Sequence, residues 1–373
     1  MINPRLNLHH VRTAYIAWHL ARESQLTSAQ CRKTLLAALL HDIGGLNEES
    51  RLQPISYYDN EFNNHAAVGA ELLATVPLLA PLKTIVRYHH IPWENGKGAS
   101  VNGAKTPKES HIIFLADRLD VLIAQYRTSD IITAKDEIID IISSGEDTLF
   151  KPDYIRAFRR MTNSAFFWRI IESTEFHDYI QDIPRINNDS VSLHNFRDIA
   201  GMLAFIIDGF SHHGVQHSLV AGRISGYLAK KMGIPPEQCL KIETGGLLHN
   251  LASLAQCDAT AHADGGSAVW NELCSIEAIR DIARWCQIQK TVVAKSGCPQ
   301  EVMIMKASIW LASLLQGVTL SSEFKARVGE TAEIAPELAG IVQQHSAVLL
   351  QIFQESVKER RALVQRINQL SQP

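Results

Sequence analysis

Five histidines and two aspartates are the residues of this 373-residue chain whose types and spacing could do chemistry. They follow the order His, His-Asp, His, His-His, Asp, and each motif stands at the start or end of an apolar stretch with helical spacing. Imidazole and carboxylate groups together favour divalent first-row metals, and a carboxylate can bridge two cations. The candidate metal ligands are His9, His41, Asp42, His65, His89, His90 and Asp117.

The size of this set predicts two metal ions. One ion that keeps open positions accepts about four protein ligands, so seven candidates indicate two ions that share Asp42. We therefore predict Asp42 as the catalytic residue. The mixture of imidazoles and carboxylates favours iron or manganese over calcium or magnesium. Any one of these side chains alone would be an ordinary helix-end or surface residue, and only the ordered set predicts a metal site.

Helical periodicity dominates the segments that carry these residues. Apolar residues recur at helical spacing from Val11 to Arg22, and Gln30 to Leu40 ends in an apolar face. Thr27 or Ser28 can cap the second of these helices. Because no run of alternating β-branched residues is found, we predict an all-α fold in which any strands are short.

The same order of motifs recurs about 200 residues later. Constant offsets across separate motifs indicate an internal duplication, and hence two tandem helical domains. The offset is 208 residues for the first two motifs and 197 residues for the third. The matched pairs include His9 with His217, His41 with His249, and His65 with His262.

The second copy has lost the anionic ligands. Asn250 and Ser313 stand where the first copy has Asp42 and Asp117. The segment Cys286-Gln287 replaces the His-His doublet. Without these carboxylates the second copy has little negative charge with which to hold two cations. We predict that it keeps a structural or regulatory role.

The boundary between the copies is predicted in the polar, proline-containing stretch at residues 182–189. This places a metal-binding catalytic domain in residues 1–185 and the degenerate domain in residues 190–373. The first copy also has eleven more residues between its second and third motifs, including Arg51 to Ser56. We expect this extra segment to form a flap over the site.

Composition excludes several classes of partner. The chain has 36 Lys and Arg against 39 Asp and Glu, so its net charge of −3 gives no reason to expect DNA or RNA. No apolar stretch approaches the ~20 residues of a membrane helix. The N-terminus opens without an apolar run, and the six cysteines form no CxxC pair. We therefore predict a cytoplasmic protein without a signal peptide, a membrane span or a disulfide framework.

These motifs resemble the HD-GYP branch of the HD phosphohydrolase superfamily, above all bacterial proteins with tandem HD-GYP domains. The resemblance is strong over residues 1–170 and weak over residues 200–350. It implies two HD-type helical domains and hydrolysis of a cyclic dinucleotide, either cyclic di-GMP or cyclic GMP-AMP. The matching segments are Leu40–Gly44, His65–Leu73, His89–Gly98 and Ala116–Asp120.

The resemblance also implies how the ligands divide. A metal-bound hydroxide would attack phosphorus in line, because two metals stabilise both the attacking and the leaving oxygen. Asp42 would bridge the two ions. The remaining ligands implied for the first metal are His9, His41 and Asp117, and those implied for the second are His65, His89 and His90.

Three positions depart from the family pattern. Gly45 replaces a lysine that meets a phosphate, and Gly98-Ala99-Ser100 stands in place of the Gly-Tyr-Pro signature. Arg5 occupies the position of a glutamate ligand found in some members, which argues for two metals rather than three. Because lost recognition groups weaken phosphate binding, other cations must substitute. The candidate substrate-binding residues are Arg87, Lys97 and Arg118.

Two alternatives to a cyclic-dinucleotide phosphodiesterase follow from these departures. The altered recognition loop also suits a phosphohydrolase that acts on another nucleotide or phosphoester. The eroded second copy also suits a non-catalytic, metal-binding signalling scaffold. The C-terminal stretch from Ala347 to Leu370, which has apolar residues at helical spacing, packs on the core or forms a homodimer helix.

Overall fold

The computed structural model describes residues 8–45, 64–126, 131–173, 191–210, 216–255, 265–290, 298–329 and 334–370. It divides largely into two compact units, which we call the first unit (residues 3–190) and the second unit (residues 191–368). The predicted flap at 51–56 and the predicted boundary at 182–189 lie outside the described residues. The assignment of one unit as catalytic and the other as degenerate stays a prediction.

The first unit is helical, which confirms the predicted all-α class. Two short 3₁₀ turns, Ala80–Leu82 and Glu94–Ala99, separate its elements. The helices are α1 (His9–Glu23), α2 (Ser28–Leu39), α3 (Asn64–Ala74), α4 (Lys83–Arg87), α5 (Lys108–Gln125), α6 (Ile131–Ser144), α7 (Pro152–Thr162) and α8 (Ala165–Glu172).

A single two-stranded hairpin interrupts the described helices of this unit. Strands β1 (Ser100–Val101) and β2 (Ala104–Lys105) pair antiparallel. The turn residues Asn102 and Gly103 have φ angles of 50° and 80°, as a tight hairpin turn with two positive φ values requires. This agrees with the prediction that any strands are short.

The second unit is also helical. It contains 3₁₀ turns at Leu251–Ala255 and Glu277–Ile279. Its helices are α9 (Leu193–Phe210), α10 (His217–Lys231), α11 (Pro236–Leu248), α12 (Gly265–Ser275), α13 (Arg280–Gln289), α14 (Gln300–Leu314), α15 (Ser321–Gly329), α16 (Pro336–Gln344) and α17 (Ser346–Leu370).

Helix α1 lies at the centre of the first unit, against α2 and α5. Ile16 and Leu20 are fully buried and are one helical turn apart, so they face the core together. Leu115 and Leu119 repeat this spacing on α5 and are fully buried as well. Burial of each such side chain stabilises the fold by about 1.5–3 kcal/mol. This packing fixes α1 and α5, which carry candidate ligands.

Local signals set the ends of α1 and α2. Leu8 precedes α1 in the left-handed region, with φ of 66°. Thr27 accepts a hydrogen bond from the Gln30 backbone, and the Gln30 side chain accepts one from the Thr27 backbone. This capping box satisfies two amide groups at the start of α2, and it selects Thr27 over Ser28 as the cap.

The two units repeat local features at the offset of 208 residues found in the sequence. Helix α10 has the bounds of α1 shifted by this offset. Gln216, the counterpart of Leu8, is also left-handed, with φ of 89°. Gln25 and its counterpart Gly233 both have positive φ, 57° and 74°. These shared backbone features support the predicted duplication.

Among the helices described here, none is long and apolar enough to cross a lipid bilayer.

Candidate metal centre

Helix ends bring six of the seven candidate ligands together. His9 is the first residue of α1, and His41 and Asp42 stand in the turn after α2. His65 is the second residue of α3. The remaining candidates are His89 and His90, in the turn after α4, and Asp117, in the middle of α5.

A close backbone contact holds α3 against the His-Asp turn. A Cβ added at Gly44 would lie 2.0 Å from the carbonyl oxygen of His65 and 2.4 Å from the amide nitrogen of Gly69. Real Cβ atoms do not approach backbone this closely, so glycine is required at this position. Because Asp42 lies two positions before Gly44 in the chain, this contact places His65 beside Asp42.

Four of the candidates form what we call the first donor group: His9, His41, Asp42 and Asp117. The Nε2 atom of His9 lies 3.3 Å from Oδ1 of Asp117 and 3.8 Å from Oδ2 of Asp42. The Nε2 atom of His41 lies 3.3 Å from Oδ2 of Asp42 and 3.8 Å from Oδ1 of Asp117. Ligands that each bind one ion at ~2.0–2.2 Å are separated by distances of this order.

The other three candidates and Asp42 form the second donor group: Asp42, His65, His89 and His90. The Nε2 atoms of His65 and His89 lie 3.3 Å and 3.7 Å from Oδ1 of Asp42. The Nε2 atom of His90 lies 2.9 Å from that of His65. Asp42 thus turns one oxygen toward each group, which is the arrangement of a bridging carboxylate.

The donor atoms fit a cation because they are buried and lack other partners. His9, His41 and Asp117 are at most 3% exposed. Their facing atoms, together with Nε2 of His89 and Oδ1 of Asp42, have no hydrogen-bond partner among the described residues. Buried polar atoms left in this way are costly, and bound metal ions would satisfy them.

Hydrogen bonds on the opposite ring nitrogens fix three of the imidazoles. The Nδ1 atom of His41 donates to the carbonyl of Ala38 at 2.7 Å, and that of His89 donates to the carbonyl of Val86 at 2.6 Å. The Nδ1 atom of His9 donates to Oδ2 of Asp120 at 2.7 Å. Each bond directs Nε2 toward the centre, where the neutral imidazole can offer its lone pair to a metal.

Asp120 and Arg12 support the centre and were not predicted from the sequence. The Arg12 guanidinium donates to both oxygens of Asp120, at 3.1 Å for Nη2 to Oδ2. Asp120 is 1% exposed and Arg12 2% exposed. Both residues follow a candidate ligand by three positions, Arg12 after His9 and Asp120 after Asp117. Helical spacing could have placed each of them on the same helix face as a ligand, but not in contact with each other.

Charge is distributed unevenly across the two groups. Burial opposes protonation of His9, but the carboxylates of Asp117 and Asp120 outweigh it and raise the pKa of His9 to about 9. Burial likewise opposes protonation of His41, but Asp42 and Asp117 hold the pKa of His41 well above its ordinary value. Burial lowers the pKa of His90, and neighbouring His89 lowers it further.

The pKa values of the carboxylates Asp42 and Asp117 are lowered, in contrast to the raised values of His9 and His41. Burial would raise the pKa of Asp42, but the charge and hydrogen bond of His41 hold that pKa well below its usual range. Burial is also outweighed at Asp117, where Arg118 and His41 lower the pKa. In the metal-free chain, protons on His9 and His41 therefore balance the carboxylates. Metal binding must displace these protons.

The predicted substrate-binding cations have different positions. Arg118 donates to Oδ2 of Asp117 at 2.7 Å and 3.1 Å, so its guanidinium lies against a candidate metal ligand. Arg87 ends α4 and is half-buried, while Lys97 is exposed in the 3₁₀ turn at 94–99. Their contact with a substrate stays a prediction.

Comparison with known proteins agrees with this geometry. Residues 8–122 match the HD domain family. A curated relative, the 3′3′-cGAMP-specific phosphodiesterase 1 of Vibrio cholerae, is 26% identical over 265 residues. The match covers 69% of this chain and 61% of the relative, so the chain spans less than two thirds of that protein.

A solved structure shares the fold. The crystal structure of a cyclic GMP-AMP-specific phosphodiesterase of V. cholerae (V-cGAP3) aligns with a TM-score of 0.51 at 14% identity. The alignment covers 92% of each chain. At this identity the likeness shows a shared fold. The HD domain over residues 8–122 and the similarity to the curated phosphodiesterase support an HD phosphohydrolase superfamily protein.

Proposed function

We propose that the first unit is a metal-dependent phosphodiesterase that hydrolyses a cyclic dinucleotide. The observation that carries the proposal is Asp42, whose two oxygens face two separate groups of buried, unsatisfied donor atoms. The similarity to a curated phosphodiesterase, 26% identical over 265 residues, supports the same activity.

The donor groups suit two divalent first-row ions, with iron or manganese favoured by the mixed ligand set. When bound, such ions activate water and stabilise charge on the phosphoryl oxygens. The side chains of this chain hold and orient that centre. Asp120 fixes the ring of His9, and Arg118 fixes the carboxylate of Asp117. Asp42 couples the two groups by belonging to both.

Cyclic GMP-AMP is the first substrate candidate and cyclic di-GMP the second. The V. cholerae relative is named for 3′3′-cGAMP, which supports this order. Both ligands carry two phosphates, which cations must recognise. Gly45 and the segment Gly98-Ala99-Ser100 carry no positively charged side chain that could contact a phosphate. We propose that Arg87 and Lys97 contact the phosphates instead, since Arg118 is engaged by Asp117.

The test is hydrolysis by the full chain purified anaerobically and loaded with iron or manganese. Chromatography should show the linear dinucleotide or mononucleotides from cyclic GMP-AMP at a higher rate than from cyclic di-GMP. Asp117→Asn removes a donor atom and should abolish the product, whereas Asp136→Asn, an exposed-helix change on α6, should not. A metal-loaded chain that opens neither ligand would contradict the proposal.

Two other outcomes point to the alternative functions. Hydrolysis of mononucleotides in preference to both cyclic ligands would identify another HD phosphohydrolase. Less than one metal ion per chain after anaerobic purification would favour a non-catalytic role over an enzyme. The same metal analysis tests the number and the identity of the ions.

We propose a structural or regulatory role for the second unit, where Asn250 and Ser313 replace the two aspartates. The rings of His217 and His249 keep a centroid separation of 5.3 Å, which equals that of His9 and His41. The arrangement of these two histidines is therefore the same in a unit that lacks both aspartates. Cytoplasmic location and a homodimer through the C-terminal helix stay predictions.

A further inference from the structure

His10, which the sequence pattern did not assign to the site, lies among the ligands of the first donor group. Its ring centroid is 5.2 Å from that of His9 and 5.3 Å from that of His41. Its Nδ1 atom is buried without a hydrogen-bond partner among the described residues. A buried polar atom without a partner needs an explanation, and a bound metal ion beside the rings of His9 and His41 would supply one.

The donor atoms of His10 fall within the span of one metal ion. One donor atom each from His9, His10, His41 and Asp42 lies within 4.8 Å of the others. Two ligands on opposite sides of an ion at ~2.0–2.2 Å are at most about 4.4 Å apart, so only small movements would close this set around a cation. We propose that His10 is a direct ligand of the metal held by the first donor group.

The second unit offers an internal comparison for this position. Ser218 is the counterpart of His10 at the offset of 208 residues. The unit that keeps Asp42 and Asp117 has an imidazole here, and the unit that has lost both aspartates has a hydroxyl. An additional neutral imidazole raises the number of protein ligands without changing the charge of the site, and it favours first-row metals over magnesium.

The inference rests on the proposed metal centre and is tested by metal binding rather than by turnover. Cobalt(II) is titrated into the metal-free full chain, and affinity and visible absorption are recorded for the wild type, His10→Ser and His19→Ser. His19 is a half-buried histidine on the same helix α1, away from the donor groups, and serves as the matched control. Circular dichroism checks the fold, and His10→Ala replaces His10→Ser if the serine variant does not fold.

We expect His10→Ser to weaken binding of one cobalt ion at least tenfold, to change its visible spectrum, and to leave the other ion unaffected. Added imidazole should restore the wild-type spectrum by entering the vacated ligand position. Wild-type affinity and spectrum in His10→Ser would overturn the assignment, and so would weakened binding that imidazole does not restore. His19→Ser should behave as the wild type.

This experiment separates the inference from the proposed function. If the wild-type chain binds cobalt through His10 but hydrolyses no cyclic dinucleotide, the assignment of His10 as a ligand stands and the proposed phosphodiesterase activity is wrong. If the wild-type chain is active and His10→Ser binds cobalt as the wild type does, the phosphodiesterase activity stands and His10 is not a ligand. A wild-type chain that binds no cobalt overturns both.

Discussion

The first and second units share a scaffold but differ in charge. In both, a left-handed residue precedes the helix that begins with histidine, and a second histidine follows the next helix. His41 bonds the Ala38 carbonyl at 2.7 Å, and His249 bonds the matching Gly246 carbonyl at 2.8 Å. The backbone that presents the imidazoles therefore does not depend on the aspartates.

The largest effect is expected when the first unit is given the residue of the second. Asp42→Asn reproduces Asn250, keeps the size of the side chain, and removes the charge shared by both donor groups. We expect the phosphodiesterase rate to fall at least ~1,000-fold, on the order of 4 kcal/mol in the barrier, together with loss of bound metal.

Metal analysis and steady-state rates check this prediction. The matched control is Asn250→Ala in the second unit, which should keep the metal content and the rate. Wild-type metal content in Asp42→Asn would show that Asp42 is no bridge. A loss of activity in Asn250→Ala would end the contrast between the units.

A smaller effect is expected from pH in the metal-free chain. The folded pKa of His9 is raised to about 9, from an ordinary 6.5, because of Asp117 and Asp120. Stabilisation from protonated His9 is therefore complete below pH 6.5 and is lost as the pH rises through about 9. The shift corresponds to at most about 3 kcal/mol in the free energy of unfolding.

Hydrogen exchange checks this in both units at once. Amides of α1 should lose protection between pH 6 and pH 9, after correction for the intrinsic rate, while those of α10 serve as the internal control. Saturation with metal should remove the pH effect on α1, because the ion replaces the proton. Equal losses in α1 and α10 would contradict a local origin.

The third effect concerns support of the centre. Asp120→Asn keeps an acceptor for Nδ1 of His9 but removes the charge that holds the ring and pairs with Arg12. We expect metal affinity to fall about 10- to 100-fold, the usual range for groups that orient a ligand. Calorimetric titration with manganese measures the change, and Asp136→Asn is the control. An unchanged metal affinity would show that the Asp120–Arg12 pair stabilises the fold without supporting the metal centre.

The smallest effect is expected at the start of α2, which is capped differently from its counterpart α11. Thr27 caps α2 with its side chain, whereas α11 begins after Pro235, which makes no such bond. Thr27→Ala should lower the free energy of unfolding by about 1 kcal/mol. Ser28→Ala, a change at the neighbouring hydroxyl, should have little effect in the same denaturation experiment. Equal losses would show that the capping box does not stabilise α2.

Sequence patterns predicted the helical class because apolar periodicity is a local property. They also predicted which seven side chains meet, because each ligand stands at a marked place in a motif. They missed Asp120 and Arg12, whose contact joins residues 108 positions apart. They predicted Arg118 as a substrate-binding residue, which stays a prediction, but did not predict its hydrogen bonds to Asp117. Long-range partners and rotamers depend on tertiary packing, which periodicity does not encode.

The absence of a methyl group at residue 44 has a consequence for metal binding in the two units. At the offset of 208 residues the second unit has Ala252, which carries the carbon that Gly44 lacks and is 1% exposed. In the first unit that carbon would collide with the peptide of His65. Because Ala252 carries this carbon, we expect Asn250→Asp combined with Ser313→Asp to be insufficient for a metal site in the second unit. A metal site in the second unit would need the two carboxylates as well as the removal of this carbon.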